Sequence, residues 1–153
     1  MIQKRIVIDT NVCLDLFVFR DPRWALLHES LKSGSVEAVT RDDCRMEWSI
    51  VLRYPHLKVD DAARVLVAAE FDALIRCVPM PEADADAVKL PICKDKDDQK
   101  FLELSRDIKA DVLITKDKAL LKLARKTRRD GLFAIMTPEA WTLETLALQQ
   151  TSV

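Results

Sequence analysis

Apolar positions along the chain fall into short unbroken runs separated by longer stretches where they recur every three or four residues. Ile6–Ile8 and Val112–Ile114 are runs of the first kind, and each reads as a strand buried on both faces. Val36–Val39 and Leu132–Ile135 are shorter candidates of the same sort. Between them the period changes to that of a helix. Trp24, Leu27 and Leu31 mark a helix over 23–32 that stops at Ser33-Gly34. Thr40 is placed to cap a helix over 41–52, with Asp42 and Asp43 in its first turn, where the helix dipole favours negative charge. Asp60 starts a further helix with Ala62, Leu66, Ala69 and Ala73 on one stripe. A loop punctuated by proline covers 79–96, helices follow over 97–108 and 118–126, and Thr137-Pro138 opens a last one. Strands alternating with helices predict an α/β fold with a mostly parallel central sheet.

Both of the clear strands end in acid. "VIDTN" carries Asp9 immediately after Ile8, and "LITKD" carries Asp117 three residues after Ile114. In parallel α/β sheets the carboxyl ends of the strands hold the chemistry, so two such strands deliver two carboxylates to one edge. Helices add two more. Glu47 shares the stripe of Cys44 and Val51, and Asp98 shares that of Leu102 and Ser105. Each has a plainer reading: an Asx-turn for Asp9, a solvent-reaching side chain for Glu47, a cap or dipole partner for Asp98, an N-cap for Asp117.

Taken together the four acids say more. Like charges ~4 Å apart repel by ~4 kcal/mol per pair at an effective dielectric near ~20. Several such pairs rival the whole stability of a domain, ~5–15 kcal/mol. A cluster of this kind must take up protons or bind a cation, and ligands that are all oxygen select Mg²⁺ or Mn²⁺ over zinc. Those ions assist displacement at phosphorus, which makes nuclease the natural chemistry.

Composition narrows the alternatives. At 153 residues, 49% hydrophobic and 32% charged, the chain has the size and make-up of one globular domain spanning 1–153, with 1–4 and 149–153 expected to fray. No apolar run is long enough to span a bilayer, and the first residues lack the pattern of a secretory signal, so a cytoplasmic location is expected. Cys13, Cys44, Cys77 and Cys93 form no C-x-x-C pair, and His28 and His56 stand far apart, which argues against zinc or Cys–His catalysis. The cysteines read as small buried hydrophobes. Net charge is −1, but 122–129 (KLARKTRR) is basic and 82–98 acidic, so charge is locally polarised. Arg45, Arg53, Lys116, Lys118, Lys122 and the run 125–129 are candidates for phosphate contact, with Arg45 and Lys116 carried forward as substrate-binding residues. Trp24, Trp48 and Trp141 read as packing residues rather than base-stacking ones.

At these residues the chain resembles the PIN domain nucleases, in particular the subgroup described as toxin components of prokaryotic toxin–antitoxin systems. The pieces that carry the resemblance are "VIDTNV" at 7–12, Glu47, "KDKDDQKFLELS" at 94–105, "DVLITKDKALL" at 111–121 and "TPEAW" at 137–141. It implies a three-layer α/β/α domain. It implies too that Asp9, Glu47, Asp98 and Asp117 are catalytic, hold Mg²⁺ or Mn²⁺ and cut single-stranded RNA. Asn11 and Thr115 would orient that quartet, with Asp95 in the outer shell. A small antitoxin and a homodimer or higher homo-oligomer are the partners it implies. Lys96, Gln99 and Lys116 depart from the usual proline, acid and glycine. The alternatives are an RNA-processing or quality-control nuclease of the same fold, a phosphotransfer domain using Asp9, and a non-catalytic RNA- or protein-binding module.

Overall fold

The computed structural model describes residues 4–151. Five strands, β1 (Lys4–Ile8), β2 (Val36–Arg41), β3 (Ile75–Val78), β4 (Val112–Ile114) and β5 (Ala134–Met136), form one sheet in the order β3-β2-β1-β4-β5. Every neighbouring pair is parallel. Ile6 pairs with Ala38 on one side and Val112 on the other, which puts the first strand in the centre. The chain moves outward from β1 to β3, crosses to β4, then moves outward again. The crevice between β1 and β4 is the switch point, where parallel sheets place their ligands.

Among the described residues eight α-helices cover the sheet: α1 (Thr10–Phe17), α2 (Ala25–Ser33), α3 (Asp42–Val51), α4 (Asp61–Leu74), α5 (Gln99–Asp107), α6 (Lys118–Leu121), α7 (Ala124–Arg129) and α8 (Pro138–Thr151). Strand alternation sorts them into two layers. Ile6, Ile8, Val112 and Ile114 pack with Val12, Phe17, Leu27, Phe71 and Trp141. Val7, Val39, Leu113 and Ile135 pack with Phe101, Leu104 and Leu120 on the other face. The result is the expected three-layer α/β/α arrangement. Trp48 stacks on Phe71 with ring centroids 4.9 Å apart, and Phe17 meets both edge-on. All three tryptophans are buried.

Several expectations are corrected. Helix α1 follows β1 without a break, its buried face formed by Val12, Cys13, Leu16 and Phe17. Thr40 belongs to β2, and Arg41 takes the N-cap place of α3. On α4 the stripe Ala62, Leu66, Ala69 and Ala73 faces solvent, with Leu66 72% exposed, while Phe71 is buried. The alanines drew the eye to the wrong face. Strand β3 follows α4 directly, and the helix expected over 118–126 divides into α6 and α7. Cys77 is exposed on the edge strand β3; Cys13, Cys44 and Cys93 are buried. Of the ends expected to fray, residues 1–3 and 152–153 lie outside the described residues. Lys4 begins β1, and Gln149 and Gln150 continue α8.

Other expectations are matched in detail. Gly34 ends α2 in the left-handed conformation, φ 80°. Asp60 accepts from the Ala63 N–H at 2.7 Å, and Thr137 accepts from the Ala140 N–H at 3.1 Å, so both cap their helices.

Candidate active site

Asp9 continues the sheet for one residue beyond β1, its N–H donating to the Ile114 carbonyl at 2.9 Å. Its carbonyl then accepts from Val12 and Cys13, which starts α1. The side chain does not cap that helix and is free for other work. It is only 4% exposed. Thr115, fully buried just after β4, donates its hydroxyl to Asp9 Oδ2 at 2.7 Å. The same Thr115 oxygen accepts the Asp117 N–H at 2.9 Å, so one hydroxyl ties together the acids of two strands.

Burial pushes the Asp9 carboxyl up to about 6; the hydrogen bonds from Thr115 and the Thr10 backbone oppose the rise, and the charges of Glu47 and Asp117 add to it. Asp98 is raised to about 8, first by burial, then by its hydrogen bond with Asp117 and by the charges of Asp9, Asp117 and Asp95. Asp117 is held below the ordinary carboxylate value by that same hydrogen bond. Burial and the surrounding carboxylates thus favour the protonated form of Asp98, while Asp117 is favoured as the ionised partner. One carboxylate oxygen each from Asp95, Asp98 and Asp117 lies within 4.8 Å of the others. Asp9 and Glu47 stand outside that trio, linked to it by charge: Asp9 acts on Asp98, and Glu47 acts on Asp9.

Two of these acids also do local work. Asp117 accepts from the Ala119 N–H at 2.9 Å and caps α6. Asp95 accepts from the Asp97 N–H at 3.0 Å, capping the short 3-10 turn Lys96–Asp98. Asp98, at the N-cap place of α5, makes no capping bond.

Glu47 reaches the site from α3. Thr10 donates its hydroxyl to one Glu47 oxygen, and the Lys100 ammonium lies 3.0 Å from the other. Lys100 also donates to the Asp97 carbonyl and sits 5.3 Å from the Phe101 ring centroid. Thr10 and Lys100 were missed in the sequence. The available signal was their closeness to quartet members, one residue after Asp9 and two after Asp98. Asn11 accepts from the Lys116 N–H at 3.4 Å, a long contact that joins the turn after β1 to the turn after β4.

The two proposed substrate cations are already engaged. Arg45 forms a two-pronged contact with Asp72 on α4 at 2.9 and 2.8 Å. Lys116 pairs with Asp15 at 2.7 Å, and Asp15 also accepts from the Trp24 indole at 3.2 Å. Cavity size does not mark the acidic edge either. A hollow of about 600 Å³, lined by Val88, Lys109, Leu132 and Phe133 among others, lies at the opposite, amino edge of the sheet.

A family model described as PIN domain matches residues 5–119, three quarters of the chain. The chain belongs to the PIN domain family. The matched span contains all four quartet acids and closes just after Asp117. The PIN domain is a nuclease fold that usually works with divalent metal, and this one carries an acidic edge suited to it. Compared with individual curated proteins, the chain matches none. Among the described residues no helix is long and apolar enough to cross a membrane.

Proposed function

We propose that this PIN domain is a Mg²⁺- or Mn²⁺-dependent endoribonuclease that cleaves single-stranded RNA, with Asp9, Glu47, Asp98 and Asp117 as its metal-holding acids. The observation that carries the reading is the convergence of Asp95, Asp98 and Asp117, one carboxylate oxygen of each within 4.8 Å of the others, beside the buried Asp9. Carboxylates crowded this closely repel one another when ionised, so a divalent cation has a reason to bind. The donor set fits such a cation, because it is all oxygen and two of its members, Asp98 and Asp117, already lie with Asp95 within 4.8 Å of one another.

Asp9, Glu47, Asp98 and Asp117 would hold the ion, and Asp95, within 4.8 Å of Asp98 and Asp117, would join them. Bound there, a divalent ion supplies positive charge against which water attacks phosphorus in line. The chain's own groups do the rest. Asp98 would favour its ionised form beside a bound cation, a form that burial opposes. Thr115 keeps Asp9 aimed through a bond that needs no rearrangement. Lys100 fixes Glu47 and contributes a fixed cation on the side of a polyanionic substrate. Hydrolysis replaces one bridging P–O bond by P–OH and leaves a hydroxyl on the departing oxygen.

The motif pattern of residues 7–12, 94–105 and 111–121 supports a narrower role, the toxin of a toxin–antitoxin pair in the cytoplasm, acting as a homodimer and restrained by a small antitoxin protein. The test is incubation of the purified protein with labelled single-stranded RNA in Mg²⁺, Mn²⁺ or EDTA, beside Asp9→Asn. Cutting that needs metal and fails in the variant supports the reading. Cutting in EDTA, or an active Asp9→Asn, contradicts it.

A further inference from the structure

The helical rod after Asp117 has one face that packs and one that nothing covers. Leu120 and Thr127 are buried, and Leu121, Leu123 and Ala124 are partly so. Lys118, Lys122, Arg125 and Arg129 are exposed. Lys118 and Lys122 are four apart along α6 and its C-cap, and Arg125 and Arg129 four apart on α7, so each pair shares a face and the four form a basic row along the two helices. Between α6 and α7 the chain tightens at Lys122–Leu123, where the Leu123 N–H reaches the Leu120 carbonyl at 3.0 Å. At ~1.5 Å rise per residue the row is roughly 16 Å long. It begins one residue beyond Asp117 and runs to the amino edge of the sheet, where the chain turns into β5.

A row of like charges costs a helix a few tenths of a kcal/mol per neighbouring pair. The dipole compensates at the end of α7, where cations are favoured, but Lys118 stands at the start of α6, where they are not. Elsewhere this chain neutralises its arginines. Among the described residues, every arginine outside the rod except Arg53 forms an ion pair. Within it, Lys118, Lys122, Arg125, Lys126 and Arg128 form none, and Arg129 reaches only its neighbour Asp130. A hollow of about 310 Å³ lies against the row, lined by Ala124, Arg125, Arg128 and Arg129. No aromatic side chain stands on the rod's exposed face, so the surface offers contacts to phosphate rather than to bases.

We propose that this row is a track for the sugar–phosphate backbone of a single-stranded nucleic acid whose reacting phosphodiester lies at the acidic edge. The proposal rests on the nuclease reading of that edge. Neighbouring cations are about one helical turn apart, ~5.4 Å, a step that one nucleotide of extended strand also spans. The row therefore meets successive phosphates of a strand leaving a pocket that, by its own charge, repels them.

The test compares the full chain with Lys122→Glu/Arg125→Glu/Arg129→Glu, using a fluorescein-labelled uridine dodecamer in EDTA. A control, Lys32→Glu/Lys58→Glu/Lys89→Glu, makes the same charge change on exposed lysines outside the rod. The row variant should weaken binding at least about tenfold and flatten the salt dependence by about 2 in log–log slope, as expected for three lost phosphate contacts. The control should change binding by less than about twofold. Lys122→Gln/Arg125→Gln, a milder pair, should show the same trend if the triple variant folds poorly by circular dichroism. Equal binding by wild type and row variant, equal loss in the control, or equally tight row-dependent binding of a duplex overturns the proposal. Cleavage in Mn²⁺ separates the two readings. A dinucleotide too short to reach the row should be cut equally by wild type and row variant, while the dodecamer suffers mainly in KM. A wild type that cuts neither, beside a row variant that no longer binds, sinks the nuclease reading and keeps the track.

Discussion

Lys100 holds Glu47, its ammonium 3.0 Å from one carboxylate oxygen while Thr10 donates to the other. Burial works against the lysine's charge, and Glu47 more than restores it. The pair removes one negative charge from the acidic edge before any metal arrives. In Lys100→Met, Glu47 is left to repel Asp9, so the metal-free protein should lose about 1–3 kcal/mol. Thermal melts at pH 8 measure this, and added Mg²⁺ should recover part of the loss. An unchanged melt would show that Lys100 is a surface ornament.

Thr115→Val tests the bond between β4 and Asp9. The substitution keeps shape and burial but leaves Asp9 Oδ2 and the Asp117 N–H without their shared partner. Urea unfolding should show a loss of about 1–3 kcal/mol. RNA cleavage should fall about 10–100-fold, as when a group that orients a metal ligand is removed. Thr115→Ser should restore most of both.

Stability of the metal-free protein should fall with rising pH. Asp9 at about 6 and Asp98 at about 8 both stand above their ordinary 3.8, so the folded chain keeps protons that the unfolded chain has released. The stability they carry is complete below about pH 4 and disappears as pH rises through about 6 and then about 8. Asp117, lowered, works the other way, and its share is lost only on acidification below the ordinary value. Melting temperature between pH 5 and 9 should therefore decline. Asp98→Asn should flatten the upper half of the decline while abolishing cleavage, and Mg²⁺ at pH 8 should raise the melt by mass action. A flat profile in the wild type would remove the argument for crowded carboxylates.

Arg41 is 3% exposed at the end of β2 and bonds Asp43 at 2.8 and 2.7 Å and Glu103 at 3.0 Å. The contact fastens α3, which carries Glu47, to α5, which follows Asp98. Arg41→Met should cost about 2–3 kcal/mol in urea unfolding, because Asp43 and Glu103 lose a charged partner while both keep some access to water. Arg41→Lys should recover less than half, since an ammonium cannot make the two-pronged contact.

What could be read from the chain was whatever the local pattern decides. Ile6–Ile8 and Val112–Ile114 had to be buried strands, and Gly34 and Thr137-Pro138 carry their own stop and start signals. Asp9 and Asp117 at strand ends followed from the same logic, and Thr115 bonds to both. The misreadings share another cause. Helix α1 and strand β3 begin without punctuation, and on α4 two apolar stripes competed, Ala62–Leu66–Ala69–Ala73 against the one containing Phe71. Only the neighbours decide which stripe is buried. Partner choice was equally hidden: nothing local tells Arg45 to meet Asp72, Lys116 to meet Asp15, or Lys100 to meet Glu47.

The central place of β1 has a consequence for biosynthesis. As the chain emerges from the ribosome, its first strand finds β2 soon, but its other flank stays open until residues 112–114 arrive more than a hundred positions later. Pairing across such a separation is slow. Until it happens, Asp9 has neither Thr115 nor Asp117 beside it. The acidic edge therefore cannot assemble until β4 and the turn that carries Asp117 have been made.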